Sequence, residues 1–399
     1  MTYSYVVIGG GIAGTNAAFA IRKNDPEGSI LIIGDEPVPV YSRVSLGKIV
    51  YGAAEPEKLI LKQYQQYEDQ LIDTELGKRV VDVHFGHKML ELSDGSHVGY
   101  EKLLIATGGR ARELPVPGAD LEGVYNFQSM ADAIQGLEYV EDKDNIFVVG
   151  GGFIGIEFVD IFARMGKKMT LMVREPWYWS TVLLQRGGEI LDGYIREHAD
   201  VYYESEITQI HGESEVSKVT LNDGSEHQAG GVFVGIGLHL NHDFITDEKL
   251  QKRRGILVNE YMQTSVRDVY AVGDVAEYYD VIQQMYVGAG TWAVASMQGM
   301  TVGHNMTHPT QLKKFEFVPS FCPKIPLPVA FVGQCRMGDG VVTEILEDSE
   351  KRYIQGTFRN DILIGAAILK DSAMMGKMSA LIKKQATKEE VVRALCTIE

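Results

Sequence analysis

Two stretches of this chain share one design. YVVIGGGIAG, residues 5 to 14, and IFVVGGGFIG, residues 146 to 155, each set four apolar residues before a glycine turn spaced Gly-x-Gly-x-x-Gly. The spaced glycines are Gly9, Gly11 and Gly14 in the first copy and Gly150, Gly152 and Gly155 in the second. A helix-like run follows each turn and leads to a further apolar strand, at 29–33 and at 169–173. This is an internal repeat of a βαβ unit. It narrows the fold to α/β, because parallel strands need crossover helices and cover on both sheet faces.

The glycines have separate tasks in such a unit. The first permits a tight turn, the second lets the backbone approach a pyrophosphate, and the third lets helix and strand pack closely. The helix start then offers unpaired N–H groups and a positive dipole end to the phosphates. One such motif is a weak signal; the same motif twice, each time between strand and helix, is a strong one. The rival reading is a pair of glycine-rich turns that bind nothing. Two cradles imply two dinucleotides.

Composition removes other classes. A chain of 399 residues has room for two or three domains. Its formal net charge of −16 argues against nucleic acid and against anionic lipid surfaces. Cys322, Cys335 and Cys396 are far apart and odd in number, so they form neither a disulfide framework nor a CxxC pair. A strand-like segment starts within a few residues of Met1, so no signal region is expected. No apolar run approaches the roughly 20 residues of a membrane span. A reducing, cytoplasmic setting is the expectation. Alternation around Asp94-Gly95, and again around Asp223-Gly224, predicts a β-hairpin after each copy. Residues 311–399 differ in character, with Pro319, Pro323, Pro326 and Pro328 before a strand-like stretch and Lys- and Met-rich helical patterns. That region reads as a separate α+β domain.

Three further motifs accompany the two turns. They are Leu103-Leu104-Ile105-Ala106-Thr107-Gly108-Gly109, Gly235-Ile236-Gly237, and Thr264-Ser265 followed by Val269-Tyr270-Ala271-Val272-Gly273-Asp274. Together with the turns, this set resembles the signatures of FAD-dependent pyridine-nucleotide oxidoreductases. The stretch from Leu363 to Leu369 is similar to the interface-domain strand of rubredoxin reductases and nitrite-reductase flavodomains. The resemblance implies two Rossmann-like domains, one for FAD over 1–113 and 236–310 and one for NAD(P)H over 114–235. A C-terminal α+β interface domain would cover 311–399. FAD would lie on the first turn and NADH or NADPH on the second, with hydride passing between them.

The same resemblance assigns residues. FAD is expected on Gly9, Gly11, Ile12, Ala13 and Gly14, with Val80, Ala106, Thr107, Gly108 and Gly273. Asp35, or its rival Glu36, would accept from the adenosine ribose; the plainer reading is a solvated acidic turn. Asp274 would meet the ribityl chain or the phosphates from a helix start, where an ordinary N-cap explains it as well. The segment YSRVSLGK, 41 to 48, resembles one in redoxin reductases that brings Arg43 and Lys48 near the isoalloxazine. Glu157 is the acid expected beside that lysine, and Lys48 and Glu157 are the candidate catalytic pair. Trp292 either packs on the flavin or is a core aromatic. The nicotinamide nucleotide is expected on Gly150, Gly152, Phe153, Ile154, Gly155, Glu157, Gly235 and Gly237. Arg174 would grip a 2′-phosphate, with Glu175 as an alternative ribose partner, so both nucleotides are expected to serve.

Disulfide reductases of this kind carry CxxxxC where this chain has residues 41–46 and no cysteine. Electrons should therefore leave the flavin directly, to a one-electron carrier or to a small acceptor, and the leading expectation is a redox protein of rubredoxin or ferredoxin type. Cys322 and Cys335 read as buried, inert thiols. Two rivals stay open: a reductase of oxygen, ferric chelates or quinones, and a slow flavoprotein serving as an assembly subunit. His84/His87, His239/His242 and His304/His308 make no credible metal site. Lys249, Lys252, Arg253 and Arg254 form either a solvated face or a docking patch for an acidic carrier. Trp177-Tyr178-Trp179 would stack on adenine or cap a loop. A homodimer is compatible with all of this.

Overall fold

The computed structural model describes residues 1–288 and 290–396, and the chain divides into two compact units. The first takes residues 1–42, 57–110 and 239–319; the second takes 43–56, 111–238 and the chain from 320 onward. Arg43 and Lys48 thus belong to the second unit.

In the first unit the strand Thr2–Ile8 pairs in parallel with Ile30–Gly34 on one side and His97–Ile105 on the other. Ile72–Leu76 and Val269–Ala271 extend the sheet in the same sense. Val6, Val7, Leu103 and Leu104 are wholly buried, which explains why these strands read as unbroken apolar runs. The strand order reverses at Thr2–Ile8, so the crevice beyond its carboxyl end is a switch point, where open α/β sheets receive ligands. The Asp94-Gly95 hairpin forms as expected, with Leu90 opposite Val98 and Gly95 at φ +80°. The helix Ile12–Asn24 packs on the helix Trp292–Thr307. Gly299 and Gly303 make that approach close, since a Cβ on Gly299 would land on the Ala13 carbonyl.

The second unit repeats the theme. Its parallel sheet runs Asp200–Tyr203, Met169–Val173, Ile146–Val149, Gly231–Val234, Val124–Asn126, with the helix Phe153–Arg164 after the glycine turn. An antiparallel sheet, Ile207–Gly212, Val216–Leu221 and Glu226–Gln228, contains the Asp223-Gly224 hairpin. The C-terminal part is a five-stranded antiparallel sheet, ordered Ser320–Phe321, Val329–Gly333, Ile362–Leu369, Tyr353–Arg359, Val342–Asp348. The helix Met375–Lys383 packs on it through buried Met378, Leu381 and Ile382.

Candidate functional site

The first glycine turn is built for close approach. Gly9 sits at φ +115°, and a Cβ there would land on the Ala106 carbonyl. A Cβ on Gly14 would strike the Gly9 carbonyl, so helix and turn touch only because Gly14 lacks a side chain. Above Gly11, by contrast, nothing stands within 4 Å of where a Cβ would be. Gly11 caps the helix without a side chain, and no acid occupies the first helical turn. That combination, free N–H groups under open space and no competing anion, fits a pyrophosphate.

The remaining FAD candidates surround this turn in different ways. Ile12 is half-buried against the core and Ala13 is 6% exposed. A Cβ on Gly273 would lie 3.3 Å from the Ala13 methyl, and the Gly273 N–H donates to Gln298 Oε1 at 2.8 Å. The Thr107 hydroxyl donates to the Asn241 carbonyl at 2.6 Å, fixing the chain between Ala106 and Gly108, the latter at φ +62°. Val80 is 4% exposed, so its side chain is taken up by the core. Asp35 faces solvent, 3.9 Å from Arg79. Its neighbour Glu36 is half-buried and accepts from the Tyr41 hydroxyl at 2.6 Å. Asp274 is not at a helix start: it lies in the turn between Val269–Ala271 and Ala276–Asp280, and the next helix is capped by Thr291. Trp292 opens that helix half-buried.

The second turn has the same construction. Gly150 sits at φ +131°, where a Cβ would land on the Gly235 carbonyl, and a Cβ on Gly155 would strike the Gly150 carbonyl. Gly152 caps its helix with no side chain and no acid in the first turn, and its Cβ position is open to 4.0 Å. Gly237, at φ +100°, also faces open space. One brace has no sequence signature: the buried Tyr178 hydroxyl donates to the Gly152 carbonyl at 2.5 Å. Trp179 is buried against Phe153 and Phe331, so the Trp177–Trp179 stretch buttresses the loop and does not stack on adenine. Phe153 and Ile154 stay 36% and 39% exposed at the helix start.

The two residues at the end of the second strand of this unit point different ways. Arg174 turns outward, 3.5 Å from the Glu175 carboxylate and 3.8 Å from that of Glu206. Glu175 turns inward, with a carboxylate oxygen 3.3 Å from where a Cβ on Gly151 would sit. The acid, not the arginine, stands over the glycine turn.

Around the expected catalytic pair, Lys48 is exposed on the short helix Gly47–Val50 and Arg43 donates to the Gln128 carbonyl at 2.7 Å. Glu157 is half-buried, and burial raises its carboxyl above the usual range while Lys324 opposes the rise through its backbone N–H and its charge. No Lys48–Glu157 ion pair forms among the described residues; the cation that acts directly on Glu157 is Lys324. Sequence reasoning missed Lys324, which stands in a proline-rich stretch with no motif.

Other expectations change as well. Cys322 is exposed, its thiol 3.7 Å from the Met375 sulfur, whereas Cys335 is buried and its thiol pushed up to about 12. The basic cluster is partly spent within its own unit. Lys252 donates to the Ile245 carbonyl, and the Arg253 guanidinium lies 3.6 Å from Glu277 and 5.1 Å from the Tyr286 ring centre. His304 and His308 stack on each other at 4.5 Å.

With that geometry in hand, comparison with known proteins is decisive. The model of the pyridine nucleotide-disulphide oxidoreductase family matches residues 3–299. The chain belongs to that family. It is 31% identical over 274 residues to a rubredoxin-NAD(+) reductase of Pseudomonas putida, covering 68% of this chain and 71% of that one. It is 29% identical over 279 residues to the ferredoxin–NAD(+) reductase component of a biphenyl dioxygenase system from Paraburkholderia xenovorans (strain LB400), with 70% and 68% covered. The reductase in a covalent putidaredoxin reductase–putidaredoxin complex shares the fold, at TM-score 0.89 and 22% identity over 100% of this chain and 99% of that one. Members of this family bind FAD and use NAD(P)H, so the chain is an oxidoreductase with two dinucleotide cradles. Among the described residues no helix is long and apolar enough to cross a membrane.

Proposed function

We propose that this protein takes hydride from NADH onto FAD and passes the electrons singly to a small redox protein of rubredoxin or ferredoxin type. The observation that carries the reading is the pair of open glycine cradles in a chain without a thiol at residues 41–46. With no cysteine there to relay electrons, they leave the flavin directly, and a one-electron carrier is the acceptor this reading assigns. The named activities of the relatives support the same acceptor class.

The cofactors supply the redox chemistry, and the protein supplies placement and field. In this reading Glu36 and Glu175 hold the two adenosine riboses, and the open helix starts at Gly11 and Gly152 hold the pyrophosphates. Lys48 and Glu157 set the charge where hydride is delivered. NADH is favoured over NADPH because Glu175 faces the second turn. FAD would be held within 1–113 and 236–310, NADH within 114–235, with 311–399 as an interface domain in a cytoplasmic protein.

The test begins with a yellow protein carrying one FAD per chain, bleached anaerobically by NADH. The reduced protein is then mixed in stopped flow with rubredoxin, ferredoxin or oxygen. Reoxidation by a carrier that outruns oxygen supports the proposal. Fast reoxidation by oxygen alone replaces it with an oxidase, and negligible turnover with every acceptor points to an assembly role.

A further inference from the structure

Three segments of the second unit bring charge to one place. Lys48 comes from Gly47–Val50, Glu157 from Phe153–Arg164, and Lys324 from the chain just after Ser320–Phe321. The Lys324 ammonium donates to the Val44 carbonyl at 2.7 Å and lies 3.3 Å from the Ser45 hydroxyl. Those acceptors sit in the 3-10 turn Arg43–Ser45, which leads directly into the Lys48 helix. The backbone N–H of the same lysine faces the Glu157 carboxylate. One residue therefore touches the segment that carries one member of the pair and the side chain of the other.

We propose that Lys324 is a positioning residue for the Lys48–Glu157 site, tying segment 43–48 to the Glu157 helix. The proposal rests on the functional reading of that pair given above. The Lys324 ammonium is held by the Val44 carbonyl and the Ser45 hydroxyl, where it feels both the Lys48 charge and the Glu157 carboxylate. Partial burial, and after it the field of Lys48, lower Lys324, while Glu157 raises it. Burial lifts Glu157, Asp160 one turn along adds to the lift, and Lys324 opposes both. Asp160 is itself paired with Arg164 at 2.7 Å, and Tyr178 is the other titratable group whose field reaches Glu157. Removing the Lys324 charge leaves the lift on Glu157 less opposed, so Glu157 takes up its proton at a higher pH than in the native protein.

The experiment uses FAD-loaded native protein, Lys324→Met and Lys324→Arg. Anaerobic flavin reduction by NADH is followed in stopped flow across pH, with limiting rate and apparent Kd fitted separately. Hydrogen exchange of segment 43–56 is measured on the corresponding apoproteins. Lys324→Met should slow the limiting rate about tenfold with little change in Kd, and move the acid limb up by roughly one pH unit. It should also speed exchange in segment 43–56. Lys324→Arg, which keeps the charge, should restore the limb and most of the protection. An unmoved pH profile in Lys324→Met, or an equal defect in Lys324→Arg, overturns the proposal while leaving the flavin reading intact. Native protein that binds no FAD overturns both.

Discussion

Replacing Glu175 by Ala tests the nucleotide preference at its source. Its carboxylate stands 3.3 Å from the Cβ position of Gly151, on the floor where the adenosine ribose of a nucleotide on this turn would rest. Hydrogen bonds from ribose hydroxyls to a carboxylate are charge-assisted and contribute about 1.5–3 kcal/mol. Their loss should lower kcat/KM for NADH roughly 10- to 100-fold. The same carboxylate repels a 2′-phosphate: at about 5 Å, with an effective dielectric between 20 and 80, that repulsion is roughly 1–3 kcal/mol. Removing it should help NADPH while NADH suffers, so the NADPH-to-NADH ratio should rise by about 50-fold or more. Arg174 provides the control. Its side chain is 75% exposed and already faces two carboxylates, so Arg174→Ala should move the ratio less than about threefold. Steady-state kcat/KM for both donors, with a dye as acceptor, measures everything needed. An unchanged ratio in Glu175→Ala, or NADPH use abolished in Arg174→Ala, refutes the assignment.

Three further outcomes follow from the same geometry. Gly155→Ala puts a methyl onto the Gly150 carbonyl, so it should weaken NAD⁺ binding at least tenfold by calorimetry while the FAD absorbance per chain is retained. Tyr178→Phe removes the 2.5 Å brace on Gly152 and should cost about 1 kcal/mol, read as a lowered midpoint in denaturant and a raised KM for NADH. In the native protein Cys335, buried with its thiol pushed up to about 12, should resist iodoacetamide near neutral pH while exposed Cys322 and Cys396 are modified; mass spectrometry of labelled peptides decides it.

Local rules made much of the architecture legible. Unbroken apolar runs such as 5–8 and 146–149 are buried on both faces, so their parallel pairing could be read directly. Asp-Gly pairs at 94–95 and 223–224 fixed two hairpins, because each glycine takes a positive φ that other residues resist. What stayed hidden depends on contacts distant in sequence. Lys324 meets Val44 across 280 positions, and no spacing rule reaches that far. Asp274 resembles a helix cap because Asp is a good one, yet the chain there turns into the strand Ala276–Asp280. Cys322 was expected to be buried on residue type alone, but the proline-rich stretch around it runs along the surface.

The internal repeat also says which of two adjacent residues matters at the end of each second strand. Ile8 lies opposite Ile33 and Val149 opposite Met172, which makes Asp35 the counterpart of Arg174 and Glu36 the counterpart of Glu175. In each pair the first residue is the more exposed of the two. Asp35 and Arg174 are the outward members, with side chains 59% and 75% exposed. Opposite charge at that position is tolerated because it meets only solvent and surface partners. The less exposed member is glutamate in both copies: Glu175 lies against Gly151, and Glu36 accepts from the Tyr41 hydroxyl. FAD and NADH differ in their redox rings but share an adenosine diphosphate half, so under the proposed function both glutamates are candidates for the same ribose contact. Where the ligands differ, so does the protein: Ile12 and Ala13 are drawn into the core, whereas Phe153 and Ile154 stand open at the helix start. The divergence between the copies falls on the two residues that open each helix.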